Sequence, residues 1–269
     1  MIRLALAALA LVPLPALAAQ STPSHCIALS QMAPGLTYVA LGETLAPDQV
    51  RVHFVGHATF LVETAGGVKI ATDFTGYVGA DVLPDVVTMN KAHTSHYTLN
   101  PDPRIPHVLH GWGPSPEAPA DHYLELDDVI IRNVPTDIRG YGGAEVNGNS
   151  IFIFEVAGLC IGHLGHLHHV PSEAQYAAMG RLDVVMAPVD GGYTMPLRDM
   201  ISVLKTVKAR WVLPMHWFGR GNLEVFLAGM ADEFQIERRL ESSAVFTLQD
   251  LPREPTVLVL EPGFLDRYD

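Results

Sequence analysis

Three short stretches of the chain place histidines at spacings that suit metal binding. They are His93–His96, His163–His169 and Pro214–Trp217, and together they hold seven of the 13 histidines. Each stretch follows an apolar run that is typical of a β-strand. Because several strand ends can converge on one point, the imidazoles of these stretches can meet there. Neutral imidazole is a common ligand of transition metals, most often zinc, so the pattern predicts a metal site.

The elements that must position these histidines change in type along the chain. The first half is rich in strand-like runs, with a hairpin turn predicted at Ala65–Gly67, and from Ser172 onward strands alternate with helices. The predicted strands are Thr37–Leu41, Val50–Val55, Thr59–Glu63, Val68–Thr72, Asp85–Met89, Val129–Val134, Ser150–Val156, Leu159–Leu164, Val184–Ala187, Trp211–Pro214, Ala244–Leu248 and Thr256–Leu260. The predicted helices are Ser172–Met179, Leu197–Val207 and Leu223–Phe234. This order is typical of a layered α/β protein and not of a β-sandwich or a helix bundle.

The first 18 residues have the pattern of a secretory signal peptide. Arg3 supplies the positive charge, Leu4–Leu14 the apolar run, and Ala16–Ala18 the small-residue cleavage site. We expect residues 19–34 to form a loose N-terminal segment and residues 35–269 to form one domain. The signal predicts a periplasmic or secreted protein that is cleaved near Ala18.

The composition narrows the set of partners. The formal net charge of −12 argues against binding to nucleic acid or to an anionic membrane surface. No apolar run after the signal is long enough for stable membrane insertion. A small-molecule substrate is therefore the expected partner, and the oligomeric state stays open. An exported chain could join Cys26 to Cys160, but Cys160 lies in an apolar strand where a buried free thiol is ordinary, so we expect no disulfide.

Residues 52–73 resemble the opening of the metallo-β-lactamase superfamily. The matching features are a strand that leads into Val55–Ala58, a second strand, the turn at Gly66–Gly67, and a third strand that ends at Asp73. The branch with the most similar opening contains ascorbate-6-phosphate lactonase and N-acyl phosphatidylethanolamine phospholipase D. The resemblance spans roughly residues 50–218. It implies a four-layer αββα sandwich, in which residues of successive loops bind metal.

The resemblance also assigns metal ligands, with several departures from the family pattern. The His-x-His-x-Asp-His motif of the family corresponds to Lys91–His96, so His93 and His96 are retained while Lys91 and Ser95 replace two ligands. The next family histidine corresponds to Asp137, the bridging aspartate to His166, and the last histidine to His216. The implied metal set is His93, His96, His166 and His216, with Asp137 as a further candidate. Because two ligands and the bridging carboxylate are replaced, we expect about one zinc per chain, although another divalent transition metal would suit the same donors.

Three further residues are candidates for a catalytic role. Lys91 could act as a base, bind substrate anions or replace a missing cation, and His57 matches a family residue near the site mouth. Asp190 precedes Gly191–Gly192 in a loop that faces the active site in the family, where it could act as a base or simply cap a turn. The resemblance implies an exported hydrolase in which a metal-bound hydroxide attacks an ester, lactone, amide or phosphodiester. The alternative is a non-catalytic member of the fold that binds metal or ligand through a degraded site.

Overall fold

The computed structural model describes residues 22–27, 44–80, 82–115, 117–140 and 143–265. The predicted signal peptide and the predicted strand Thr37–Leu41 lie outside these residues, and the predicted domain limits stay predictions. Within the described residues the chain forms two β-sheets and three α-helices. No helix in this part of the chain is long and apolar enough to cross a membrane.

The first sheet has six strands in the order β13-β1-β2-β3-β4-β5. The strands β1 to β3 form an antiparallel meander, while β3, β4 and β5 run parallel to one another. Their bounds are β1 Gln49–Gly56, β2 Thr59–Thr64, β3 Lys69–Ala71, β4 Val86–Met89, β5 His107–His110 and β13 Ser243–Thr247. The strand β5 was not predicted, because two histidines flank only two apolar residues there.

The second sheet has eight strands in the order β12-β14-β11-β10-β9-β8-β7-β6. The long antiparallel hairpin of β7 and β8 leads into parallel pairing of β9, β10, β11, β14 and β12. Their bounds are β6 Tyr123–Leu126, β7 Val129–Gly140, β8 Gly143–Val156, β9 Leu159–His163, β10 Val184–Pro188, β11 Trp211–Met215, β12 Gln235–Arg238 and β14 Thr256–Val259. The parallel strands β9, β10, β11 and β14 are buried on both faces, which explains their continuous apolar sequences, whereas the edge strand β12 is partly exposed and polar.

The helices α1 Glu173–Met179, α2 Leu197–Val207 and α3 Arg220–Met230 all pack on the second sheet. A capping box between Ser172 and Gln175 fixes the start of α1, as expected from the N-cap residue. The start of α3 lies three residues before the predicted Leu223, since Gly219 and Arg220 carry no apolar signal.

Three apolar clusters show the layer order of the fold. The largest buried rings, including Phe54, Phe60, Phe152 and Phe154, pack between the two sheets. A second cluster joins the eight-stranded sheet to the helices. On the outer face of the six-stranded sheet, Val55, Leu61 and Val87 pack against residues such as Phe74, Val78 and Ile105, which come from irregular segments. The α/β sandwich class is confirmed, and among the described residues loops form its fourth layer.

The described part of the N-terminal segment, residues 22–27, is attached to the second sheet. A disulfide joins Cys26 to Cys160 of β9, so the prediction of two free thiols is wrong. The Oγ of Ser24 donates to Glu155 Oε1 at 2.5 Å, and the backbone N–H of His25 donates to Glu155 Oε2 at 3.0 Å. A polar sequence with one buried cysteine gave no apolar signal for this contact, which explains why a loose segment was expected.

Candidate metal centre

Five histidine side chains meet where loops from the two sheets come together. The six-stranded sheet contributes three of them: His57 in the turn between β1 and β2, and His93 and His96 in the loop after β4. The eight-stranded sheet contributes His166 after β9 and His216 after β11. The two halves are joined directly, because the backbone N–H of His216 donates to the carbonyl of His57 at 2.7 Å.

Two short nitrogen–nitrogen contacts form the centre of this cluster. The Nε2 atoms of His96 and His216 are 3.0 Å apart, and so are the Nε2 atoms of His93 and His166. The ring centroids of these four residues lie between 4.6 and 5.9 Å from one another. The structure therefore brings together the four histidines that the sequence assigned to a metal.

Buried carboxylates fix the orientation of two of these rings. The Nδ1 of His96 lies 2.5 Å from Asp73 Oδ2, and Asn90 donates to the other oxygen of Asp73 at 2.8 Å. The Nδ1 of His216 lies 3.1 Å from Asp190 Oδ1, a close electrostatic contact that lacks hydrogen-bond alignment. A carboxylate behind the second ring nitrogen is the usual support for a metal-bound histidine, since it holds the proton on Nδ1 and leaves the Nε2 lone pair for the metal.

This arrangement fits a cation and fits poorly with imidazoles alone. If Nδ1 of His96 and His216 each face a carboxylate, the two Nε2 atoms 3.0 Å apart both present lone pairs. Two acceptors face to face repel each other, whereas a metal would bind both. Tetrahedral zinc with bonds of about 2.0–2.1 Å to nitrogen places its ligand atoms roughly 3.3 Å apart, close to the observed separation. The buried Nδ1 of His166 also lacks a hydrogen-bond partner.

A serine links two histidines on the other side of the cluster. The Oγ of Ser95 lies 2.7 Å from His93 Nδ1 and 2.8 Å from His57 Nε2. One ligand nitrogen from each of His57, His93, His96 and His216 lies within 4.8 Å of the other three. Ser95 thus holds histidine rings in place. The family motif has an aspartate at this position, which would bind metal instead.

The surroundings keep the imidazoles of His57, His93, His96 and His166 neutral. Burial, followed by repulsion from neighbouring imidazoles, lowers the pKa of His57 to about 3 and lowers the pKa values of His93, His96 and His166. Burial raises the pKa of Asp73 to about 6. Burial would also raise the pKa of Asp190, but hydrogen bonds from Thr194 and the loop backbone, with the contact to His216, hold it below its ordinary value. Neutral imidazole is the form that binds metal, so the site does not have to lose protons at neutral pH.

The backbone at the site is strained in three places. His57, Asp73 and His216 have φ angles of 53°, 39° and 60°, in the left-handed region that side chains other than glycine rarely adopt. Such conformations persist only where surrounding contacts enforce them, and they cluster at functional sites. Gly165, with a φ of 59°, lies just before His166, and a Cβ there would collide with the side-chain amides of Asn90 and Asn149.

The structure places two predicted site residues away from the cluster. Lys91 forms an ion pair with Glu145 and lines a neighbouring cavity with Trp112 and Asn147. Asp137 accepts a hydrogen bond from the backbone N–H of Asn147 at 2.9 Å, within the β7–β8 hairpin. Local backbone geometry turns both side chains away from the cluster. Lys91 lies in a loop after β4, and the strand register shifts between Thr136 and Ile138, on either side of Asp137. The spacing of residues in the sequence does not show either feature.

Several residues at the site gave no signal in the sequence. Asn90 supports Asp73, while Arg139, Tyr193 and Phe218 lie at the rim of the cluster. A search of the sequence for metal-ligand motifs does not consider amide, aromatic or arginine side chains. For Tyr193 the only signal was its place in the loop after Asp190.

Comparisons with known proteins agree with this fold and site. The family profile described as a β-lactamase superfamily domain matches residues 51–216, which is most of the chain and runs from β1 to the last histidine of the cluster. The chain therefore belongs to this superfamily. Fold, family and histidine cluster together define the class of a metal-dependent hydrolase of the metallo-β-lactamase fold.

Relatives with named functions share about a quarter of their residues with this chain. A UPF0173 metal-dependent hydrolase of Carboxydothermus hydrogenoformans is 26% identical over 237 residues, 78% of this chain and 100% of the relative. A UPF0173 metal-dependent hydrolase of Pyrococcus abyssi is 25% identical over 62% of this chain and 84% of its own length.

Solved structures show the same fold. A protein of Thermotoga maritima assigned as a zinc-dependent hydrolase of the metallo-β-lactamase superfamily superposes with a TM-score of 0.56 and 25% identity, over 80% of this chain and 100% of that one. The metallo hydrolase Igni18 of Ignicoccus hospitalis superposes with a TM-score of 0.54 and 19% identity, over 80% of this chain and 96% of that one.

Proposed function

We propose that this protein is an exported hydrolase that uses one zinc ion held by His93, His96 and His216, with His166 or His57 as a fourth ligand. The observation that carries the proposal is the pair of Nε2 atoms of His96 and His216, 3.0 Å apart, with Asp73 and Asp190 behind the two rings. Relatives named as metal-dependent hydrolases support the same activity.

Zinc bound there would polarise a carbonyl or phosphoryl oxygen and lower the pKa of a water molecule. The protein's own side chains would set the orientation and protonation state of the histidines around it. Asp73 holds the tautomer of His96, and the Asp190 carboxylate lies against Nδ1 of His216. His57, with its pKa lowered to about 3, is neutral at pH 7, so its ring can act as a metal ligand or a hydrogen-bond partner in the site. Suitable substrates are small molecules with an ester, lactone, amide or phosphodiester bond.

A single metal is favoured by the donors that are present. Lys91 and Ser95 stand where the family motif has ligands, and His166 stands where it has a bridging carboxylate. Among the described residues one other group of potential ligands exists, His25 with Cys26 and Cys160, and its two sulfurs are joined in the disulfide. Export is supported by that disulfide, because such bonds persist in oxidising compartments, and by the signal-peptide pattern of residues 1–18.

Metal content and hydrolysis test this proposal. The purified protein should retain about one equivalent of zinc after gel filtration and hydrolyse generic ester or phosphodiester substrates, and His96→Ala/His216→Ala should lose both properties. The exposed His110, whose ring lies against Trp112 away from the cluster, gives the control variant His110→Ala, which should keep both. Two equivalents of zinc would refute the mononuclear site. Bound zinc without turnover of any substrate would favour the non-catalytic alternative.

A further inference from the structure

A cavity of about 300 Å³ lies directly beside the histidine cluster. It is lined by Ala92, His93, Arg139, His166, His168, Gly192 and Tyr193. Two of the proposed metal ligands therefore form one wall, and a group bound in the cavity would be next to the reacting bond. This volume is at the lower end of the range for small-molecule sites.

Arg139, at the end of β7, is held at this cavity by the protein backbone. Its Nη2 donates to the carbonyls of Gly192, Tyr193 and Thr194 at 2.7, 2.8 and 2.5 Å. Its own backbone N–H donates to His168 Nδ1 at 2.7 Å, and His168 Nε2 donates to the carbonyl of Tyr193 at 2.7 Å. Both side chains therefore support the loop of residues 192–194.

Asp190 holds the same loop from its other side. Its carboxylate accepts from the backbone N–H groups of Gly192, Tyr193 and Thr194 at 2.9, 2.5 and 3.1 Å. The loop is thus fixed between a carboxylate that contacts His216 and a guanidinium at the cavity. Hydrogen bonds on both sides of the loop thus hold Arg139 beside the cluster.

The cavity has the charge that an anion requires. A guanidinium has five N–H donors in a planar fork, and the bonds described for Arg139 use only those on Nη2. The donors on Nε and Nη1 are left for a ligand. No carboxylate is among the residues that line the cavity, and Arg139 is the one arginine or lysine on that lining.

An aromatic pair borders the cluster beside the same loop. The rings of Tyr193 and Phe218 lie 5.1 Å apart and are 67% and 63% exposed as residues. The ring of Phe218 also lies 5.5 Å from His57 and 5.3 Å from His216. Two exposed aromatic side chains beside a reactive centre form a contact surface for an apolar group.

We propose that the natural substrate is a small amphipathic anion, whose carboxylate or phosphate group pairs with Arg139 while its apolar group packs on Tyr193 and Phe218. The bond to be cleaved then lies between these two contacts, at the histidine cluster. Arginine suits both anions, since its planar fork matches either one in a bidentate pair. This inference rests on the hydrolase function proposed above and names its substrate class.

Calorimetric titration of the zinc-loaded protein tests the proposal. The probes are 4-phenylbutyrate, phenylphosphonate, the neutral 4-phenylbutanol and inorganic phosphate. Arg139→Gln should raise the Kd of both phenyl anions by about 10- to 100-fold, the usual effect of losing a charged hydrogen bond, and leave 4-phenylbutanol within a factor of about three. Arg139→Lys should recover part of the loss. The exposed Arg198, 92% exposed in its side chain, supplies the control Arg198→Gln, which should bind as the parent does.

Two comparisons separate the parts of the proposal. Phe218→Ala should raise the Kd of the phenyl probes and leave the Kd of inorganic phosphate unchanged. Whichever phenyl anion binds the parent more tightly identifies the substrate as a carboxylate or as a phosphate. The anion subsite would be refuted if Arg139→Gln raised the Kd of 4-phenylbutanol as much as that of the anions. It would also be refuted if Arg139 variants that keep their zinc bound the anions as tightly as the parent does. If the anions bind through Arg139 but the protein takes up no zinc and hydrolyses nothing, the proposed function fails while the anion subsite stands.

Discussion

Asp73 controls the chemistry of one histidine without reaching the centre of the cluster. Its carboxylate faces His96 Nδ1 at 2.5 Å and is itself held by Asn90. This contact keeps the Nε2 lone pair of His96 directed at His216. Because Asp73 is fully buried and its pKa is raised to about 6, the folded protein loses stability by keeping this carboxylate charged. We infer that the aspartate is retained for its effect on the metal site.

Asp73→Asn should therefore weaken zinc binding more than it affects folding. Loss of a carboxylate behind a metal-bound histidine costs about 10- to 100-fold in metal affinity. Competition with a chromophoric chelator measures the Kd, and urea unfolding of the zinc-free protein measures stability. Asp102→Asn, at a surface carboxylate paired with Arg104, is the matched control. An unchanged Kd in Asp73→Asn would contradict the assigned role.

The N-terminal segment 22–27 is attached to the second sheet by a cluster of bonds at one place. Glu155 of β8 accepts from Ser24, from the backbone of His25 and from Arg132 of β7. Arg132 in turn donates to the carbonyls of Ala178 and Met179 at 2.6 and 2.8 Å, at the end of α1. One ion pair thus connects the segment, two strands and a helix.

The disulfide should contribute a large share of the stability of this arrangement. Its two cysteines are 134 residues apart in sequence, so the bond restricts a long stretch of the unfolded chain. Cys26→Ala/Cys160→Ala should lower the free energy of unfolding by about 2–4 kcal/mol. Urea unfolding of parent and variant, with and without reductant, measures this. Reductant should destabilise only the parent, and two titratable thiols in the oxidised parent would show that the bond is absent.

Glu155→Gln should give a pH-dependent loss of stability. Burial alone would raise the pKa of Glu155, but hydrogen bonds from Ser24 and Arg132 outweigh it and hold the pKa below the ordinary 4.5. A carboxyl with a lowered pKa stabilises the fold fully above its unfolded pKa, and the contribution is lost as the pH falls through the folded pKa. The variant should thus be about 3 kcal/mol less stable than the parent at pH 7, because Arg132 is left buried without its partner.

The difference between Glu155→Gln and the parent should shrink steadily as the pH falls below about 4.5. Urea unfolding at pH values from about 3 to 7, in steps of about one pH unit, measures this difference across the range in which the carboxyl group titrates. Glu224→Gln removes an exposed, solvent-screened ion pair with Arg238 and should change stability little at any pH. A pH-independent loss at Glu155 would exclude the charge as its cause.

Both sheets contribute histidines to the same cluster, so a metal bound there would join the two halves of the molecule. His57, His93 and His96 belong to loops of the six-stranded sheet, and His166 and His216 to loops of the eight-stranded sheet. A metal bound by both sets can be held only when the sheets are packed together. Its binding energy therefore adds to the stability of the whole fold.

Zinc should raise the melting temperature of the protein with the logarithm of its free concentration, once that concentration exceeds the Kd. At 100 times the Kd the gain is about 2.7 kcal/mol, provided that the unfolded chain binds weakly. Calorimetric scans with zinc buffered by a chelator measure the shift. His96→Ala/His216→Ala should lose most of it, and the control His110→Ala should keep it. A full shift in the double variant would place the zinc elsewhere.

Local sequence was sufficient to predict most of the elements and the four histidines that the fold brings together. The strands around the site follow from continuous or alternating apolar runs, and the histidines after them follow from spacing and resemblance, since both signals lie within a few neighbouring residues. The same local signals failed for the short strands β5, β6 and β12 and for the attachment of residues 22–27, where polar side chains interrupt the apolar pattern.

Only the tertiary structure decided the partners of each side chain. The pairing of Cys26 with Cys160, of Asp73 with His96, and of Lys91 with Glu145 depends on how distant segments pack. The position of Arg139 against residues 192–194, which carries the proposed substrate class, depends on it too. Residue type shows what a side chain is able to bind. Which atoms reach it is fixed by the packing of the two sheets and by backbone conformations, such as the left-handed one at His216, that neighbouring sequence does not specify.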